Sequence, residues 1–283
     1  MSKPVLITAD STCDLSDELK QRFGIQVLPL TVMEGDCAYK DGVDISPEQI
    51  YALYRQSGQL PKTAAISPQA FTDAFTPYLQ QGYEIVHLDI SAELSACCQN
   101  ASIAAAGLEG LYPVDTRHLS TGQGLVVLFA CRLRDQGLSA GEIVQGVRDY
   151  IPRVHTSFVL DTLEYMWKGG RCSGFTALGA NLLNIKPCLE MQKGLLKVCK
   201  KYRGSMEKVY LQYVRERMET ENIDPNYVFI THSGGVSEET LTALKEVVRE
   251  AVHPKELLVT TAGCTVTSHC GPGTLGVLFA VGA

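Results

Sequence analysis

No stretch of this chain is apolar for long enough to read as a membrane span; even the run at 124–131 is stopped by Arg132. The chain starts in a strand-like run, without the basic and apolar regions of a secretory leader. The expected setting is therefore soluble and cytoplasmic, with no stable insertion into a membrane. Positive charge is scarce too. Lys and Arg number 25 against 31 Asp and Glu, a formal net charge of −6, which leaves no general positive field to hold nucleic acid or an anionic bilayer. Neither a Gly-x-x-x-x-Gly-Lys-Ser/Thr phosphate loop nor a glycine-paired dinucleotide fingerprint occurs, so no nucleotide site of the chain's own is expected. The ten cysteines show no Cys-x-x-Cys spacing and no even rhythm. Neither a disulfide framework nor a metal site is expected of them, and Cys131, Cys188 and Cys199 read as small core hydrophobes.

What is present is enough chain, at 283 residues, for two domains of ordinary size. The expected architecture is two α/β lobes, 1–153 and 154–283. The first has a largely parallel sheet flanked by helices, the second a mixed sheet, and a ligand lies between them. The first half alternates strand and helix: strands at 5–7, 25–32 and 83–90, and helices opened by Ser16, Ser46 and Ser67. Ser46, Pro47 and Gln49 make a capping box with proline in the first turn, with Ile45 and Ile50 placed for a hydrophobic staple. Ser139 with Glu142 makes another. A strand at 112–115 and helices at 122–133 and 141–150 complete the first lobe. Beyond 153 the pattern is less regular: a strand at 153–160, a hairpin turning at Lys193-Gly194, a helix at 207–219, and a helix at 237–252 capped by Ser237. Strands at 227–231, 257–261 and 276–281 alternate with these.

One segment carries more backbone freedom and fixed charge than packing needs. Residues 167–187 join Gly169 and Gly170 to Arg171, a short apolar helix-like run and then Ile185-Lys186-Pro187. Paired glycines let a ligand or another chain approach closely, and arginine offers a planar fork for carboxylate or phosphate. Ser95 sits at a βα turn, where free N–H groups welcome an anion; it also reads simply as a helix cap. Lys197, Lys200, Lys201 and Arg203 form a basic run, either a solvated face or a docking surface. His269 falls in a glycine-rich loop with Gly271 and Gly273, between two strands rather than on an apolar helix face. The histidines at 87, 118, 155, 232 and 253 read as structural.

Taken in order, Asp10-Ser11-Thr12-Cys13-Asp14-Leu15, Lys62-Thr63, Ile90-Ser91-Ala92-Glu93-Leu94-Ser95, Lys201-Tyr202-Arg203-Gly204 and His269-Cys270-Gly271-Pro272-Gly273 join the 167–187 segment in one pattern. Over nearly its whole length the chain resembles the DegV family, bacterial fatty-acid-binding proteins that serve as the lipid-carrying subunit of fatty acid kinase. The resemblance implies no cofactor beyond a bound long-chain fatty acid. It implies a carboxylate held by Thr63 and Ser95 with His269 close by, and Arg171 and Arg203 facing a separate ATP-dependent kinase that forms the acyl phosphate. The chain departs from the family pattern at Ala64, Ile66, Ala96, Cys97, Cys98 and Cys270, which bears on pocket shape and chain-length preference.

Two other classes compete. A stand-alone hydrolase or phosphotransferase would use Ser95 as nucleophile and His269 as acid–base. Against it, Ser95 is not in a Gly-x-Ser-x-Gly elbow and no acid is identifiable as the partner of His269. A nucleic-acid-binding regulator is disfavoured by net charge and by the lack of a recognisable motif.

Overall fold

A computed structural model of the protein describes residues 3–171 and 185–282. Strands β1 (Val5–Asp10), β2 (Gln26–Leu28), β6 (Glu84–Asp89) and β7 (Leu111–Asp115) form an all-parallel sheet in the order β2-β1-β6-β7. Beside its carboxyl edge lies a small antiparallel sheet of β4 (Cys37–Lys40), β3 (Thr31–Glu34) and β5 (Lys62–Ala64). The remaining strands make a six-stranded mixed sheet: β10 (Leu195–Tyr202), β9 (Lys186–Gln192), β8 (Val154–Val159), β13 (Leu275–Val281), β11 (Ile223–His232) and β12 (Glu256–Thr261), in that order. Only the β11–β12 pair in it is parallel.

Helices α1 (Asp17–Phe23), α2 (Pro47–Ser57) and α3 (Pro68–Gln80) start where Ser16, Ser46 and Ser67 place them, while α4 (Cys97–Ala105) starts two residues after Ser95, with Ala96 at its N-cap. Both capping boxes are formed, Ser46 with Gln49 on α2 and Ser139 with Glu142 on α6 (Ala140–Tyr150). The helix that binds the architecture together is α5 (Ser120–Asp135), whose first nine residues are all buried. It packs on β1 and β6 with one side and on β8, β11 and β13 with the other, so one apolar core runs through both large sheets. Close approach sets its sequence: a Cβ at Gly122 would stand 1.8 Å from Thr156 Oγ1, so only glycine lets β8 come this near. Beyond it follow α7 (Glu164–Lys168), α8 (Met206–Met218), α9 (Glu238–Val252) and α10 (Cys264–Cys270).

The shortest of these contacts matter most at α10. Its N-cap is Gly263, which has no side chain to cap with. The free N–H groups are taken instead by carboxylates from more than two hundred residues upstream. Asp14 accepts from Gly263 N at 2.8 Å; Asp41 accepts from Cys264 N at 2.8 Å and from Thr265 N at 3.2 Å. Asp41 is held in turn by Ser11 Oγ at 2.9 Å, and Asp14 by Ser120 Oγ at 2.5 Å. Buried carboxyl groups need such partners; the hydrogen bonds from Ser120 and Gly263 oppose the burial that pushes Asp14 up to about 8.

Three sequence expectations are corrected. His269 lies on α10 and not in a glycine loop, because the caps that start this helix come from Asp14 and Asp41 and leave no local trace. The expected strand at 25–32 divides into β2 and β3, which join different sheets; Pro29 lacks a ladder donor, and Leu30 N turns to Ser11 Oγ at 3.0 Å. Cys199 is exposed and not core, because the β9–β10 register shifts between Val198 and Lys200 and turns it out of the ladder. Cys131 and Cys188 are buried as expected. The hairpin at Lys193-Gly194 is present, with φ of 53° and 87° at its two turn residues, the handedness that a two-residue hairpin favours. The apolar run after Arg171 lies outside the described residues.

Replacing Asp41 with Ala leaves three buried or part-buried donors without an acceptor. Stability should fall by about 1–3 kcal/mol, read as a lower urea midpoint at unchanged slope; an unmoved midpoint would show that α10 needs no distant cap.

Candidate functional site

A cavity of about 220 Å³ opens between the carboxyl ends of the parallel strands and the six-stranded sheet. Its wall is mostly apolar, with Leu30, Ile90 and Leu119 on one side and Phe158, Met166 and Leu196 on the other. The polar side chains in the lining are Thr63, Ser95, Arg171, Thr265 and His269. This is the position where open α/β sheets collect ligands, beyond the carboxyl ends of the strands.

Thr63 is presented by β5, at the edge of the small sheet, and its Oγ1 lies 2.9 Å from His269 Nε2. Ser95 follows the loop after β6. It stands just ahead of the N-cap Ala96, and its Oγ accepts from Cys97 N at 3.3 Å. Capping and a place in the cavity lining thus coincide in one hydroxyl. The strand end behind it is fixed by Asp10, whose carboxylate accepts from Thr12 N at 2.9 Å and from Ile90 N at 2.7 Å. Burial, and then the neighbouring Asp89 carboxylate, push Asp10 above the usual carboxylate range, while hydrogen bonds from the Thr12 hydroxyl and Ile90 N oppose the rise.

His269 is pushed down to about 4, first by burial and then by the positive charge of Arg171. Its imidazole is neutral at pH 7, and its Nδ1 is buried without a hydrogen-bond partner among the described residues. Arg171 is turned back on its own segment, Nη1 donating to Gly169 O at 2.7 Å. Gly169 explains how the ring fits: a Cβ there would stand 2.3 Å from His269 Nδ1 and 2.9 Å from Tyr165 O. Four of the five expected site residues therefore meet at one cavity.

The fifth, Arg203, is exposed just past the end of β10 and is not in the lining. In the basic run around it, Lys200 pairs with Glu216 at 2.8 Å, while Lys197 and Lys201 are exposed. Lys186 pairs with Asp161. Thr265 is a lining residue that the sequence reading passed over. It precedes His269 by four positions on the same helix face, and its Oγ1 is buried without a partner among the described residues. The one available signal was that spacing, which has meaning only once 264–270 is known to be helical.

Among the described residues the geometry does not pair Ser95 with His269 as nucleophile and base. The ring bonds to Thr63 and its Nδ1 meets no orienting acid.

Residues 4–281 match the family model described as "Uncharacterised protein, DegV family". The chain belongs to the DegV family. A DegV domain-containing protein of Caldanaerobacter subterraneus subsp. tengcongensis is 33% identical over 279 residues, covering 97% of this chain and 98% of that one. One from Clostridium acetobutylicum is 32% identical, with the same coverage. Among solved structures, a fatty-acid-binding DegV family protein from Thermus thermophilus superposes with a TM-score of 0.87 at 31% identity, covering 99% of this chain and 100% of that one. A DegV lipid-binding protein from Thermotoga maritima gives 0.84 at 26% identity over 98% of both chains. The expected α/β class is thus the observed one, and the parallel and mixed sheets are those of DegV structures.

The neutral state of His269 has a sign that can be measured. Its folded value lies below the 6.5 of an unperturbed imidazole, so the unfolded chain takes up this proton first and the contribution of His269 to stability falls as pH drops from about 6.5 towards 4. His269→Gln should remove about one proton from the slope of stability against pH in that window, leaving the share of buried His118, which is likewise pushed down to about 4 by burial. Urea titrations at stepped pH read the difference; an identical slope in the variant would contradict a buried neutral imidazole.

Proposed function

We propose that this DegV family member binds a long-chain fatty acid in the cavity and presents its carboxylate to a separate ATP-dependent kinase, without a catalytic ATP site of its own. The observation that carries this reading is the meeting of Thr63, Ser95 and His269 in the lining of one otherwise apolar cavity. The Thermus thermophilus relative, described by its fatty-acid binding, supports it.

The two parts of such a ligand ask different things of the site. Each buried methylene contributes about 0.8 kcal/mol, so a chain of roughly sixteen carbons gains on the order of 10 kcal/mol gross from the apolar wall. Association costs take back a large part of that. The carboxylate contributes little net affinity but must not be buried unpaired. The hydroxyls of Thr63 and Ser95 serve as its donors. A neutral His269 supports Thr63 without repelling or neutralising the phosphoryl donor. Arg171, in the lining, and Arg203, on the surface, are assigned to the approach of the kinase, where fixed positive charge offsets the phosphates.

Organic extraction of the purified protein followed by mass spectrometry should yield about one long-chain fatty acid per chain. Thr63→Ala with Ser95→Ala removes two charge-assisted hydrogen bonds worth about 1.5–3 kcal/mol each, so affinity should fall by about a hundredfold or more; unchanged lipid content would sink the assignment. Arg203→Glu should leave lipid binding intact while acyl phosphate formation with the kinase falls by an order of magnitude or more. Equal phosphorylation of the variant would remove Arg203 from the partner surface.

A further inference from the structure

Away from the cavity, one guanidinium touches two thiols. Arg217, on α8, places Nη2 at 3.1 Å from Cys199 Sγ and 3.7 Å from Cys188 Sγ, with Glu190 Oε2 at 2.9 Å. Cys188 is buried in β9 and Cys199 is exposed in β10. The register shift between Val198 and Lys200 sets Cys199 beside Cys188, with its sulfur 3.4 Å from the Cys188 carbonyl oxygen. Contact of one guanidinium nitrogen with both sulfurs, at 3.1 and 3.7 Å, holds them side by side although Cys199 has no ladder partner of its own, and rotation of the two side chains closes the remaining gap to a disulfide. Neither cysteine lines the lipid cavity.

We propose that Cys199 and Cys188 form an oxidisable thiol pair that takes a hydroperoxide as its substrate. Arg217 holds the reactive sulfur as a thiolate. The Cys199 thiolate attacks one peroxide oxygen; an S–O bond forms, the O–O bond breaks, and the departing oxygen leaves as water after taking a proton from solvent. Cys199 is then a sulfenic acid and the peroxide is reduced. The Cys188 sulfur next attacks the Cys199 sulfur, forming S–S and breaking S–O, and the hydroxide leaves as water with the Cys188 proton. Two thiols and one hydrogen peroxide become one disulfide and two waters.

The electrostatics agree with this division of labour. A hydrogen bond from the Cys188 thiol and the charge of Arg217 hold Cys199 below the usual thiol range, against burial and the nearby Glu190 carboxylate. The same hydrogen bond and burial push Cys188 up, so it stays a thiol until its partner is oxidised. An exposed, electropositive thiolate next to a second cysteine is the arrangement that reactive thiols require and buried structural cysteines lack.

Cys37 supplies an internal control, being exposed as well. On graded hydrogen peroxide, differential alkylation and peptide mass spectrometry should show Cys199 oxidised about tenfold or more faster than Cys37, with a linked pair of peptides carrying Cys188 and Cys199. In Cys188→Ser the reaction should stop at a sulfenic acid on Cys199 that dimedone captures. Arg217→Ala should slow the oxidation about tenfold, and Arg217→Lys, which keeps a charge and the fold, should restore a measurable part of it. Oxidation of Cys199 no faster than Cys37, or a linked product that excludes Cys188, would overturn the proposal.

Discussion

The cavity depends on two carboxylates that belong to one half of the chain and cap a helix of the other. Asp14 and Asp41 stand among the first strands, yet their oxygens close the open N-terminus of α10. That contact sets where α10 begins and which of its faces looks inward, and so where His269 and Thr265 point. Remove the caps and a seven-residue helix has little to define it, since a turn or two of helix is marginal on its own. Thr63 then loses its partner. The geometry of the site is thus settled about six residues away from its chemistry, at the far end of the helix.

The core supports the same constraint by different means. Because α5 is buried on both sides, the two large sheets cannot shift against one another without disturbing an apolar cluster that includes Ile7, Val86, Phe229 and Leu278. Close packing of this kind transmits displacements and does not absorb them. The apolar wall and the polar lining therefore keep a fixed relation. A neutral His269 fits the same picture: a protonated ring would bring an uncompensated charge beside Arg171 into a buried place.

Much of the fold was legible where the signal is local. Ser46 with Gln49 and Ser139 with Glu142 announce their helices in four residues, and Lys193-Gly194 announces its hairpin. The small sheet of β3, β4 and β5 was not foreseen as a sheet, since strands of three or four residues carry too few alternations to register. His269 was singled out for a good reason, the glycines after it, and set in the wrong element, because the groups that start its helix lie at positions 14 and 41. Thr63, Ser95 and His269 could be grouped only through resemblance to a family; nothing in composition or spacing joins positions 63 and 269. Cys199 reads as an ordinary apolar filler until the bulge in β10 is seen.

A chain made from its amino end reaches Thr63 and Ser95 early, but His269 only 206 positions after Thr63. Until then the side of the cavity formed by Leu30, Ile90 and Leu119 lacks α10, and β8, which carries Phe158 of the opposite wall, lacks its neighbour β13. The nascent protein therefore carries an open, greasy seam through most of its synthesis, the kind of surface that invites aggregation or a chaperone.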